Sequence, residues 1–161
     1  MAEDFDALFA ADMRLLGDLE HAEQRERGSD VFTAPRPETD KNDLQRLHGV
    51  ENLQQALLLR FLTQVGELTH LGHASYGSRL HELVGEPNTV TSRNRAKLYA
   101  LQALTAEPRV AAVESLDVIT DPGNRNTILI KARLRTIDSP VPLTLLFPVD
   151  LAGALAAGGA A

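Results

Sequence analysis

From Glu51 onward the chain sets Leu53, Leu57, Phe61 and Val65 on one helical ridge, with Leu58 and Leu62 beside it. That recurrence predicts a core helix ending near Gly66. The stretch from Gly66 to Asn88 mixes glycines and a proline with short apolar groups, which predicts an ordered loop containing one short helix around residues 78–84. A second long helix is expected over residues 91–105, capped by Ser92, burying Leu98, Leu101 and Leu104 and stopped by Pro108. Beyond that proline the period falls to two. Residues 110–120 are rich in Val and Ile, and Asp121-Pro122-Gly123-Asn124 is a turn sequence. Over residues 126–137, Ile128, Ile130, Ala132 and Leu134 face one way and Lys131, Arg133 and Arg135 the other. After Asp138-Ser139-Pro140, Val141, Leu143, Leu145, Phe147 and Val149 form the apolar face of a third strand. The predicted fold class is α+β, with helices packed on one face of a three-stranded antiparallel β-meander.

Pro142 and Pro148 share one parity in the last strand, so both missing N–H groups fall on the same, outermost edge. Strand 110–120, at the opposite edge, carries no proline and is the better template for an added strand. Ahead of this body, Phe5, Leu8, Phe9, Met13, Leu16 and Leu19 recur at helical spacing and predict an amphipathic helix over residues 4–25. Gly28, Ser29, Pro35 and Pro37 then predict an extended linker. The expected organisation is an acidic arm (1–26), a linker (27–45), an α+β body (46–151) and a mobile Ala/Gly tail (152–161).

The 161 residues suit one ordinary domain plus an extra segment, and 43% hydrophobic with 24% charged residues is a globular composition. The net charge of -6 sits entirely in residues 1–30, where nine acids face three arginines, and the remainder carries thirteen charges of each sign. A neutral body argues against a nucleic-acid partner. With no cysteine, disulfides, thiol nucleophiles and thiolate-held metals are excluded. No apolar run approaches the roughly 18–20 residues that span a bilayer, so no direct membrane insertion and synthesis in the cytoplasm are expected.

His70, His73 and His81, with Glu67 and Glu82 nearby, match no zinc spacing, and no metal or cofactor is expected. Glu82, Glu86 and Glu107 qualify for glycoside cleavage by residue type only. The row Lys131, Arg133 and Arg135 could meet an acidic partner, though charges on the open side of a strand are commonly plain solvation. Glu107-Pro108-Arg109 stands where helix gives way to sheet. It reads equally as a forked hydrogen-bonding site for a partner and as a structural corner closed by its own ion pair.

The stretch ENLQQALLLRFLTQVGEL, then YGSRLHELVGEPN, then RAKLYALQALTAEPRV before three strands, resembles the sheath-initiator family of contractile phage tails, type VI secretion and extracellular contractile injection systems. The similarity covers roughly residues 50–151. Its most specific pieces are Tyr76-Gly77-Ser78-Arg79-Leu80 and Glu107-Pro108-Arg109. The resemblance implies a non-enzymatic baseplate part in a sixfold particle, assembled in the cytoplasm and then either released or kept in the cell. Its partners would be baseplate wedge proteins and sheath subunits. It implies that Glu107, Pro108 and Arg109 meet the wedge core bundle, that strand 110–120 with Val113, Leu116 and Val118 receives the sheath strand, and that Tyr76 and Arg79 belong to a family motif without an assigned role. Two other functions are weighed beside it: a lysozyme-like peptidoglycan hydrolase and a regulatory adaptor reusing the fold.

Overall fold

The computed structural model describes residues 10–17, 19, 32–36, 38–39, 41–137 and 141–152. Its main sheet is the predicted antiparallel meander: β5 (Val110–Thr120), β6 (Thr127–Thr136) and β7 (Leu143–Asp150), with β6 central. Each apolar residue named on β6 is buried, as are Leu143, Leu145, Phe147 and Val149 on β7, while Lys131, Arg133 and Arg135 are exposed. The β5–β6 turn is closed by the Asp121 carboxylate, which accepts from Gly123 N at 2.9 Å. Val141 does not join the strand and is 70% exposed. Pro148 lies within edge strand β7, where a missing donor is tolerated.

Two helices share one hydrophobic cluster with the inward residues of this sheet. Helix α1 (Gly49–Leu62) contributes Leu53, Leu57, Leu58 and Phe61, and the Phe61 ring meets Phe147 of β7 at 5.1 Å between centroids. The helix stops earlier than expected because Thr63 turns to extended geometry, its N–H still donating to Leu59 O at 2.9 Å. Leu62 and Val65 are therefore exposed. Helix α2 (Val90–Thr105) begins one residue early, and its cap is Thr89, whose hydroxyl accepts from Ser92 N at 3.1 Å. Leu104 is buried as predicted, but Leu98 and Leu101 are exposed. The inward face is made instead by Tyr99 with Ala96, Ala100 and Ala103, the three alanines letting the helix approach β5 and β6 closely. The short helix expected around residues 78–84 is a 3-10 turn, Leu80–Leu83.

The N-terminal prediction needs the largest correction. Where a helix was expected, Ala11–Met13 is a strand, β1, paired antiparallel with β4 (Arg46–His48). The Asp12 side chain accepts its neighbour's N–H at 2.8 Å, a local bond that competes with helix, and α1 captures the backbone that follows. Within the expected linker, β2 (Thr33–Pro35) and β3 (Asn42–Leu44) form a hairpin. Ala10, residues 14–17 and Leu19 are not helical either; residues 4–9, 18 and 20–25 of the expected arm helix and residues 153–161 of the tail lie outside the described residues. Among the described residues no helix is long and apolar enough to cross a membrane.

Candidate interaction site

Tyr76 to Leu80 is the piece of chain that joins the two helices electrostatically. Gly77 has φ of +113°, and a Cβ there would sit 2.8 Å from the carbonyls of Thr63 and Gln64, so only glycine fits. That closeness lets Ser78 dock on the end of α1: Ser78 N donates to Thr63 O at 2.9 Å, its hydroxyl to Phe61 O at 3.0 Å, and Val65 N donates back to Ser78 O at 3.1 Å. The residues on either side then point into two different clusters.

Tyr76 enters the inner cluster. The Arg60 guanidinium lies over its ring at 4.6 Å and reaches Glu107 through Nη2 to Oε2 at 3.2 Å. Arg109 holds the other carboxylate oxygen through Nε. The Arg60 and Glu107 side chains are only 9% and 7% exposed. Burial alone would push the Glu107 carboxyl up, but the hydrogen bond and charge of Arg109, joined by Arg60, hold it below the ordinary carboxylate range. Burial likewise pushes the Tyr76 phenol up, which keeps it protonated. Of the two readings of the Glu107-Pro108-Arg109 corner, the internal ion pair is formed: Glu107 is spent inside the body, Pro108 is exposed and Arg109 is partly exposed.

Arg79 enters the outer cluster. It forks onto Glu82 at 2.7 and 3.0 Å and lies over the Tyr99 ring at 4.8 Å. Tyr99 Oη donates to Glu82 at 2.9 Å, and Arg95 ties Tyr99 to Glu86. The hydrogen bonds from Arg79 and Tyr99 hold the Glu82 carboxyl below its usual range.

Arg60 is the residue that sequence reading passed over. Its signal was available: it stands three residues after Leu57 and seven after Leu53, so a guanidinium occupies the buried stripe of α1 and requires a buried acid. Among the described residues no group of three or more His, Asp or Glu side chains could hold a metal. The cationic row on β6 stays on the open side, with Arg133 paired to Glu114 at 3.1 Å.

On β5, the residues expected to meet a sheath strand lie along an edge strand of the sheet. Leu116 is buried, and Val113 and Val118 pack against the core, so these side chains face inward and only the backbone of β5 is turned to the edge. Among the described residues no strand pairs with that outer edge. Its regularity is also limited, because register shifts at Val110/Ala112 and Val113/Ser115 leave an unbroken ladder only over Ser115 to Thr120.

No protein-family profile and no curated protein matches the chain. Its fold is similar to that of a solved structure from Geobacter sulfurreducens described as a "putative tail lysozyme", with a TM-score of 0.53 and 19% identity over 62% of this chain and 88% of that one. At that identity the likeness is one of fold.

Proposed function

We propose that the chain is a structural part of a phage tail-like contractile particle, placed between baseplate wedge and sheath, where the outer edge of β5 accepts a strand from a sheath subunit. The observation that carries this reading is the asymmetry of the sheet: β7 contains a proline, whereas residues 115–120 of β5 are regular, free of proline and, among the described residues, paired only with β6. An added strand would complete the ladder through main-chain bonds, and six such edges in a ring would make the attachment multivalent. The tail-associated description of the fold neighbour supports the same setting.

The neighbour's description also favours a second reading, peptidoglycan hydrolysis. That chemistry needs a carboxylic acid kept protonated. Glu82 and Glu107 are shifted the opposite way and are each clamped by arginines, so the structural reading is preferred.

Because successive N–H groups of a strand point to opposite sides, Asp117→Pro and Val118→Pro together remove one outward and one inward donor. The variant that loses the outward donor should keep the body folded and join the baseplate, yet fail to start sheath polymerisation. Normal sheath assembly on that variant would overturn strand addition at this edge.

A further inference from the structure

Three side-chain amides near the start of α1 grip the N-terminal segment by its backbone. Gln55, 1% exposed, accepts from Leu15 N at 2.8 Å and Leu16 N at 3.2 Å and donates to Met13 O at 2.9 Å. Asn52 donates to Ala10 O at 3.3 Å, and Gln54 donates to Leu19 O. Strand β4 completes the grip, pairing Ala11, Asp12 and Met13 with His48, Leu47 and Arg46, and Arg14 N donates to Gln45 O at 2.8 Å. These bonds all go to main-chain atoms of the segment. Side-chain recognition comes from Leu16, 6% exposed in the core cluster, and from Leu19 packed against it. Ala11, Asp12 and Met13 are all exposed.

This is a built receptor for an extended peptide that carries a leucine at one position and another three residues on. We propose that it is an exchange site, which takes residues 10–19 of a second copy of the chain in place of its own. An identical segment brings identical bonds, so exchange sacrifices no contact at the site. The twelve residues between Leu19 and Phe32 give a connection of up to roughly 40 Å when extended, enough to reach a neighbouring copy. An empty clamp would forfeit all three Gln55 hydrogen bonds and leave the β4 edge open, so a site that gives up its own segment is a template for an identical replacement. The interaction is separate from the β5 edge and stands whether or not that edge binds a sheath strand.

The cysteine-free chain makes a clean test possible. Ala11 and His48 are exposed and directly paired, within the reach of a disulfide. Differently tagged full-length Ala11→Cys and His48→Cys copies are co-expressed, purified together and oxidised. Exchange predicts a covalent heterodimer at several times the yield obtained when Ala11→Cys is paired with a cysteine at exposed Thr144, and its loss when the Ala11→Cys copy also carries Leu16→Asp. A yield no higher than the Thr144→Cys control, or one unmoved by Leu16→Asp, would overturn the proposal. So would failure of an Ala11→Cys/His48→Cys double variant to close a disulfide at all.

Discussion

The molecule holds two carboxylates in nearly the same company, and only one of them is buried. Glu107 meets Arg60 and Arg109 with Tyr76 beneath a guanidinium, and Glu82 meets Arg79 and Arg95 with Tyr99 beneath both. The Glu107 side chain is 7% exposed and that of Glu82 is 32% exposed. Composition is therefore shared, and access to water separates their roles. Around Glu107 no solvent can replace a lost partner, so the cluster fixes the corner between α2 and β5 to α1. Around Glu82, water competes with every contact, and the cluster orients the 3-10 turn without carrying the fold.

The largest effect should come from Glu107→Gln, which leaves the Arg60 and Arg109 guanidiniums without their shared counter-charge. A loss of about 3–5 kcal/mol in urea-unfolding stability is expected, against about 1–3 kcal/mol for Arg60→Met, where Arg109 still compensates the acid. Equal losses for the two would mean that Arg109 does not hold the carboxylate.

The next effect is one of pH. Because the folded Glu107 carboxyl titrates below its unfolded value, its contribution is complete above about pH 4.3 and fades as pH falls through the lower folded value. Unfolding midpoints should be level between pH 7 and 5 and drop below about 4.3, and Glu107→Gln should flatten that drop. An acid limb of unchanged steepness in the variant would assign it to other carboxylates.

The smallest effect belongs to Glu82→Gln, whose loss should be well below that of Glu107→Gln and should shrink further in high salt. A loss as large as at Glu107, insensitive to salt, would erase the distinction between the two clusters.

Reading the pattern along the chain located the sheet well, because alternation along residues 127–150 admits one burial scheme: Ile128, Ile130, Ala132 and Leu134 inward, the cations outward. It located α1 through the helical recurrence of Leu53, Leu57 and Phe61, though not its end, since Leu62 and Val65 are exposed. It failed over Ala10 to Gly17 and at Leu19, where the helical spacing of Met13, Leu16 and Leu19 is equally compatible with non-helical backbone gripped by distant side chains. The bonds that decide between them come from Asn52, Gln54 and Gln55, some forty positions later. Leu98 and Leu101 were misplaced because a helix rich in alanine can turn its small residues to a sheet and leave larger ones outside.

The amino-acid order alone fixed the two long helices and the three-strand meander, since each depends on neighbours within a few residues, whereas the need for glycine at Gly77 comes from the Thr63 and Gln64 carbonyls packed against it. Which acids are buried, that Arg60 faces Glu107 across 47 positions, and that an amide-lined groove holds the N-terminal strand were decided only when the chain closed on itself. Burial and pairing between distant residues are properties of the packed whole, and no local spacing carries them.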